Sequence, residues 1–176
     1  TRSTASAQAA CERIDAGTPQ AALSALRKAD VWMLSVPDAE LPGCAAGLAA
    51  VQTEQTVPEK PVIVFHCSGA QGSDVLAPLA ALGWHTASAH CLLSFAHIEA
   101  ALVQFPGTPC ALEGSVIACA HLQRVFTAIG AQCFALTGGD KLLYHAAAVF
   151  ATNFLPVLQA TAEDLWARTG MPPALV

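Results

Sequence analysis

Two short apolar runs and a third predicted strand, each followed by polar residues, constrain the fold of this chain most strongly. They cover Asp30–Val36, Pro61–His66 and Trp84–His90. Apolar runs of this length, bounded by turns, are typical of strands that are buried on both faces. Stretches of helical composition, Leu41–Gln52 and Ser73–Leu82, separate them. This alternation predicts crossover units and a parallel sheet.

The flanking regions predict further helices and strands. Helices are expected at 4–14, 20–28, 98–104 and 115–129, a loop at 53–60, and strands at 109–113 and 132–136. An Ala-rich helix from Asp140 to about Arg168 then follows, with a kink expected near Pro156. That helix is apolar nearly all round, so other helices must bury it, either in the same chain or in a partner.

Composition excludes several classes of protein. Charged residues make up 12% of the chain against about 25% in an ordinary soluble domain. The formal net charge is −5 and no basic block occurs, so no nucleic acid partner is expected. Polar residues interrupt every long apolar run, so no membrane span is expected. Seven cysteines without a C-x-x-C pair predict buried thiols in a reducing compartment, the cytoplasm.

Polar side chains follow the predicted strands at the edge where parallel sheets bind ligands. His90 titrates near neutrality, which suits a proton donor or acceptor in a cleft. Ser68 is suited to orienting a substrate oxygen, and Gly69 permits close approach of a ligand. The alternatives are a structural histidine that closes a turn and an ordinary strand-to-helix turn. The three predicted strand ends are Ser35–Asp38, His66–Gly69 and His90–Ser94.

A second polar cluster lies at the start of the long helix. Lys141 and His145 are four residues apart and therefore share a helix face. Asn153 is about 80° round from His145 at 3.6 residues per turn, so it is predicted to line the same cleft. The functional interpretation is a cation, an acid or base, and an orienting amide. The alternative is a solvated lysine and a core histidine with a backbone partner.

Metal and nucleotide motifs are weak in this sequence. The His–Cys pairs at 66–67 and 90–91 suit zinc chemistry, and a metal-dependent hydrolase is one hypothesis. Adjacent residues on a strand point to opposite faces, so each pair offers only one ligand easily and no metal site is predicted. The chain contains neither G-x-G-x-x-G nor a P-loop motif.

Four motifs in a fixed order carry a resemblance to a known family. The chain resembles bacterial Rossmann-like proteins, proposed to be NADP-dependent oxidoreductases, that carry a helical C-terminal domain of unknown function. Their layout is similar to that of pyrroline-5-carboxylate reductases, 3-hydroxyacyl-CoA dehydrogenases and β-hydroxyacid dehydrogenases, and the C-terminal part resembles that of 6-phosphogluconate dehydrogenases. The motifs are Leu34-Ser-Val-Pro-Asp38, His66-Cys-Ser-Gly-Ala70, Ser88-Ala-His90 with Leu93-Ser-Phe-Ala96, and the helix from Lys141 to Asn153.

The resemblance implies roles for single residues. Ser68 and His90 match the serine and histidine that hold and protonate the substrate oxygen in hydroxyacyl dehydrogenases. Lys141 and His145 resemble the Lys-x-x-x-Asn pair of β-hydroxyacid dehydrogenases, with histidine in place of asparagine. Gly69 and Asn153 are expected at the substrate. The implied cofactor contacts, to NADP or NAD, are Val36, Pro37 and Asp38 near the ribose and nicotinamide, and Arg2 and Ser3 near a 2′-phosphate.

The prediction is therefore an α/β protein with a Rossmann-like parallel sheet, incomplete at its N-terminus, followed by a mainly helical dimerisation domain. The domains are expected at 1–105 and 106–176, both partial, because the family extends beyond the chain at each end. The expected function is NAD(P)-dependent oxidation or reduction of a small carbonyl, hydroxy or imine compound by a homodimer. The alternative is a non-catalytic dimeric nucleotide sensor or scaffold of the same fold.

Overall fold

The structure, a computed structural model, describes residues 3–52 and 60–175. Arg2 and most of the predicted loop at 53–60 lie outside the described residues. Within the described ranges, the alternation of strands and helices agrees closely with the sequence pattern.

Five strands form one sheet in the order β1-β2-β3-β4-β5. The first three strands pair in parallel, as predicted, and β4 and β5 are also parallel to each other. Strand β4 pairs with β3 in the antiparallel direction, so the sheet is mixed. The Rossmann-like α/β class is confirmed. The strands are β1 (Val31–Leu34), β2 (Ile63–His66), β3 (His85–Cys91), β4 (Pro109–Gly114) and β5 (Gln132–Ala135).

The helices differ from the sequence predictions in two places. The predicted helix at 20–28 is only a 3₁₀ turn, Leu23–Ala25, because so short a segment without a side-chain cap does not sustain an α-helix. The predicted helix at 73–82 begins as a 3₁₀ turn, Ser73–Leu76, before Gly83 ends it at φ +81°. The α-helices are α1 (Thr4–Ile14), α2 (Leu41–Gln52), α3 (Ala77–Ala80), α4 (Ile98–Gln104), α5 (Val116–Ala128), α6 (Lys141–Val149) and α7 (Leu155–Arg168).

The two faces of the sheet bury separate cores. On one face, Val64 packs with Leu48 of α2 and Leu79 of α3. Trp32 and Trp84 stack at the same core, with ring centroids 5.6 Å apart. On the other face, apolar residues of β2, β3 and β4 pack against α5: Ile63, Phe65, Ala87, Ala89, Cys110, Leu112, Ala118 and Leu122. Each face of the sheet therefore has its own apolar core, so a polar side chain buried between the sheet and a helix needs a hydrogen-bond partner there.

The long C-terminal helix is continuous but irregular. A π-helical turn, Phe150–Phe154, joins α6 to α7, where a kink near Pro156 is expected. Pro156 has no N–H to donate to the carbonyl of Thr152, and widening of the preceding turn accommodates that missing bond. The Thr152 hydroxyl donates instead to the Ala148 carbonyl at 2.8 Å.

Most apolar side chains of this helix are exposed. Across the described ranges, Lys141–Arg168 is the one helix whose length and apolar composition would let it cross a membrane. The exposed apolar residues, here called the apolar stripe, are Leu142, Leu143, Phe150, Phe154, Leu155, Val157, Leu158, Leu165 and Trp166.

The sheet continues across the predicted domain boundary, because β4 pairs with β3. The division at residues 105 and 106 therefore stays a prediction.

The expectation that the cysteines are mostly buried needs correction. Only Cys110 is fully buried, and the other six thiols are half-buried, because they lie at the margins of the two cores or in α1.

Gly114 provides a sharp test of the β3–β4 pairing. Its φ is +132°, and an added Cβ would lie 2.6 Å from Ala87 Cα and overlap the Thr86 carbonyl oxygen. Since backbone atoms cannot yield as a flexible side chain does, Gly114→Ala should lower the free energy of unfolding by about 2–3 kcal/mol. Urea denaturation measures this.

Gly43→Ala is the matched control. Nothing lies within 4 Å of a Cβ at Gly43, which is inside α2. This change should raise the free energy of unfolding by about 0.5–1 kcal/mol. Equal effects of the two substitutions would contradict the described pairing.

Candidate functional site

A row of polar residues crosses the middle of the sheet. His66, Ser88 and Glu113 are neighbours in register on β2, β3 and β4. His66 and Ser88 are completely buried. Polar groups buried in this way must find hydrogen-bond partners, and the geometry of the site follows from how they do so.

Lys141 of α6 is the cation at the centre of the row. Its side chain is only 2% exposed, and Nζ donates to Ser88 Oγ at 2.8 Å. Ser88 Oγ in turn donates to Glu113 Oε2 at 3.1 Å, so one hydroxyl links the cation to a carboxylate. Burial lowers the pKa of Lys141, while the charges of Glu113 and Asp38 oppose that shift. The predicted alternative of a solvated lysine is wrong, because the side chain enters the sheet region.

Glu113 is a functional candidate that sequence reasoning missed. Its carboxylate accepts from the Ser73 N–H at 2.7 Å and from the Ser73 hydroxyl at 2.6 Å, in addition to Ser88. The only available signal was an isolated acid in an otherwise apolar strand. Glu113 also lines an open cleft of about 410 Å³ with Gly72, Ser73, Asp74, Ala77, Ala80 and Thr86. The polar row thus connects the buried lysine with solvent.

His66 has a structural role in the turn after β2. Nδ1 accepts from the Ser68 N–H at 3.2 Å, which leaves Nε2 as the protonated nitrogen that donates to the Gly72 carbonyl at 3.0 Å. Burial lowers the pKa of His66. Both ring nitrogens are satisfied in the neutral form, and the ring fixes the path of the chain from Ser68 to Gly72.

Ser68 joins the ends of the first two strands. Its hydroxyl donates to Asp38 Oδ2 at 2.6 Å and accepts from the N–H groups of Ala70 and Gln71. The predicted cofactor loop, Val36 to Asp38, is therefore held against the predicted substrate residues. Val36 packs on the α2 core, and the Pro37 carbonyl accepts from the Glu40 N–H.

His90 lies at the carboxyl end of β3 and contacts α6. Its Nδ1 is 3.2 Å from the Tyr144 hydroxyl, and that hydroxyl also lies 3.5 Å from the His90 carbonyl oxygen. If Tyr144 donates to that carbonyl, it accepts from Nδ1–H and leaves Nε2 as an acceptor. Burial lowers the pKa of His90 to about 4, aided by the charges of Lys141 and His145. At neutral pH the ring is uncharged.

His145 and His90 converge on Gly69. A Cβ added at Gly69 would overlap His145 Nδ1 and lie 2.8 Å from His90 Nε2. The two imidazole centroids are 6.0 Å apart. Among the described residues, His145 Nδ1 is the one buried side-chain polar atom without a hydrogen-bond partner. An orphaned nitrogen beside a glycine without a side chain is the arrangement expected where a ligand atom completes the bonding.

Tyr144 is the other residue that sequence reasoning missed. It contacts His90 edge-on at 5.6 Å and Phe134 of β5 at 6.0 Å. Burial raises its pKa to about 12, so the phenol stays protonated. Tyr144 therefore fixes the orientation of the His90 ring. Its position between Lys141 and His145 on the helix was the available signal.

Three predicted residues lie apart from this cluster or outside the structure. Asn153 is exposed in the π-helical turn, where its Oδ1 accepts from the Thr152 hydroxyl. The widened turn changes the angle between Asn153 and His145 around the helix axis, from which Asn153 was predicted to line the same cleft. Ser3 caps α1 by accepting from the Ser6 N–H. Arg2 lies outside the described residues.

No metal site emerges in the part of the chain that the structure describes. No group of three or more His, Cys, Asp and Glu side chains there could hold an ion. His66 and His90 instead bond to Gly72 and Tyr144. The site defined by the fold is thus a polar cluster at the carboxyl ends of β1 to β3, the position at which Rossmann-like proteins bind ligands.

The chain belongs to the Rossmann-like domain family, whose model matches residues 1–91. A second family model, a domain of unknown function, matches residues 108–176. These matches confirm the resemblance found in the sequence. No curated protein matches the chain in sequence.

Solved structures show the same fold. A Thermotoga maritima protein, TM1727, superposes with a TM-score of 0.73 at 24% identity, over 99% of this chain and 63% of its own. A proposed NADP oxidoreductase of Bacteroides fragilis gives a TM-score of 0.69 at 19% identity, over 99% and 64%. Prephenate dehydrogenase of Aquifex aeolicus gives 0.61 at 17% identity, over 96% and 60%. The chain therefore spans less than two thirds of the length of these proteins.

Replacing Glu113 tests the polar row. Glu113→Gln removes the negative charge that favours the buried Lys141 cation, so it should lower the free energy of unfolding at pH 7 by about 1–3 kcal/mol. Lys141→Met in the Glu113→Gln background should recover part of that loss, because no buried charge then remains. Urea denaturation of the single and double variants measures the coupling. Purely additive losses in the free energy of unfolding would contradict the coupling between Glu113 and Lys141.

Proposed function

We propose that the protein is an NAD(P)-dependent oxidoreductase that acts on a small carbonyl, hydroxy or imine compound. The observation that carries this proposal is the convergence of His90 Nε2 and His145 Nδ1 on Gly69 at the carboxyl ends of the strands. The fold family and the oxidoreductases among the similar structures support the cofactor class.

The residues present fit the nicotinamide end of such a cofactor. The backbone of Gly69, which has no side chain, lies directly beside His90 Nε2 and His145 Nδ1, and the orphaned His145 Nδ1 needs a polar partner that a ligand atom would supply. The loop from Val36 to Asp38 would hold the adjacent ribose, since Ser68 fixes Asp38 there. The chain itself carries no G-x-G-x-x-G turn for the pyrophosphate. When bound, the nicotinamide supplies or accepts the hydride.

The residues of the chain handle the proton and the orientation. Neutral His90 presents Nε2 as the acceptor of a proton from a substrate hydroxyl, and it returns that proton in the reverse direction. His145 Nδ1 would bond the substrate or the cofactor amide. Lys141 is buried and held by its bond with Ser88, and its charge adds to the burial that lowers the pKa of His90.

The test uses the protein expressed with whatever residues its gene encodes on either side of this chain. NADPH and NADH binding is measured by fluorescence titration, and turnover is measured with panels of 2-oxo acids, imines and hydroxy acids. His90→Gln should reduce kcat at least about 100-fold while leaving cofactor affinity within about twofold, as removal of a general acid–base does. His97→Gln, an exposed histidine at the start of α4, is the matched control.

The alternative is a non-catalytic nucleotide sensor or scaffold. It is favoured by the close packing of His145 and His90 against Gly69. Tight NADPH binding that His90→Gln leaves unchanged, together with no turnover on any panel, would contradict the enzyme and support the sensor. Failure to bind either nucleotide would contradict both.

We also propose that the protein is a homodimer in the cytoplasm. The apolar stripe lies on a helix with no Asp, Glu, Lys or Arg between residues 142 and 162. So large an exposed apolar surface is typical of an interface, and a second copy covers it symmetrically. All seven cysteines are free thiols, which supports a reducing compartment.

Leu158→Asp tests the dimer. A charge in the middle of the apolar stripe should convert a dimer into a monomer in analytical ultracentrifugation without detergent, because the buried charge has no partner. Ala9→Asp, on an exposed position of α1, adds the same charge elsewhere and should leave the dimer intact. A wild-type protein that is monomeric, or that sediments only with lipid or detergent, would refute this proposal.

A further inference from the structure

Three cysteines form a row across the sheet, on the face opposite to the one that carries the candidate site. Cys91 on β3 lies directly opposite Cys110 on β4, and Cys110 is beside Cys133 on β5. Cys110 is buried in the α5 core, and the other two pack against that core and are half-buried. None of these thiols takes part in the chemistry proposed above.

The register places Cys91 and Cys110 at disulfide distance. The Leu92 N–H donates to the Pro109 carbonyl, so Leu92 and Pro109 form a hydrogen-bonded pair. Because hydrogen-bonded and non-hydrogen-bonded pairs alternate in an antiparallel ladder, Cys91 and Cys110 form a non-hydrogen-bonded pair. The Cα atoms of such pairs are about 4.5 Å apart, within the range of natural disulfides.

We propose that Cys91 and Cys110 form a reversible cross-strand disulfide when the protein meets a peroxide. The two residues lie directly opposite each other on neighbouring strands, so their side chains are on the same face of the sheet. Cys91 is the half-buried member of the pair and is the thiol that a small oxidant reaches first.

The chemistry balances in two steps. The Cys91 thiolate attacks one peroxide oxygen, the O–O bond breaks, and Cys91 becomes a sulfenic acid while hydroxide leaves. The Cys110 sulfur then attacks the Cys91 sulfur, the S–O bond breaks, and water leaves with the Cys110 proton. The two thiols lose two electrons to one peroxide. A dithiol reductant reverses the reaction by thiol–disulfide exchange.

The environment of the pair favours this order. The hydrogen bond from Cys110 lowers the pKa of Cys91, and the same bond raises the pKa of Cys110. Cys91 is therefore the better nucleophile toward the oxidant. Since Cys91 directly follows His90, the disulfide would fix the end of β3 beside the ring that Tyr144 contacts.

Peptide mapping tests the proposal directly. The protein is treated with a small excess of hydrogen peroxide, blocked with N-ethylmaleimide and cleaved after glutamate. Cleavage at Glu59, Glu99 and Glu113 puts Cys91 and Cys110 in the peptides 60–99 and 100–113, and Cys133 in a third. The expected product is one linked pair of the first two peptides, lighter by two hydrogens than their sum, that dithiothreitol separates.

Single cysteine substitutions identify which two cysteines form the disulfide. Cys91→Ser should abolish the link, whereas Cys67→Ser, within the same peptide, should leave it in place. Cys44→Ser, in α2 on the other core, is the matched control for general thiol loss and should also leave it in place. A link to the peptide that carries Cys133, a link that survives Cys91→Ser, or irreversible sulfinic acid at Cys91 with Cys110 still free would overturn the proposal.

Discussion

The arrangement of this protein depends on one buried cation. Lys141 enters the region between helix and sheet, where burial of a charge costs several kcal/mol unless a partner compensates it. The Ser88 hydroxyl and the Glu113 carboxylate supply that compensation across two strands. Because the same residue opens α6, satisfying the charge also fixes where the helix begins. His145 reaches Gly69 only because Lys141 is held one turn earlier.

The reversal of strand direction between β3 and β4 explains how the helix reaches the site. In an all-parallel sheet, the chain would leave the last strand at the ligand edge and turn away from it. Here β4 and β5 run in the opposite direction to β3, and β5 ends at Ala135, level with Ala89 of β3, so α6 begins beside Ser88. Lys141 meets Ser88, and then Tyr144 meets His90 two residues further along the same strand.

The local sequence pattern was sufficient to predict the strands, most of the helices and the polar residues that follow the strands. His90, Ser68 and Lys141 are visible in the sequence because polar groups interrupt apolar runs. Glu113 and Tyr144 were not visible in the sequence as site residues, because their roles arise from register and packing between segments that are distant in the chain. The direction of β4 escaped prediction for the same reason, because composition does not encode which way a strand pairs. The 3₁₀ turns replaced helices where too few residues separated the breakers.

The tryptophans have a spectroscopic consequence. Trp32 and Trp84 stack against each other at the α2 core, whereas Trp166 is 45% exposed on α7. A shielded indole emits at shorter wavelength than a hydrated one, so the emission of Trp166 separates from that of the stacked pair wherever the apolar stripe is uncovered. The blue component follows loosening of the sheet core and the red component follows the surroundings of the C-terminal helix. Native emission thereby distinguishes events in the α2 core from events on the C-terminal helix without any attached dye.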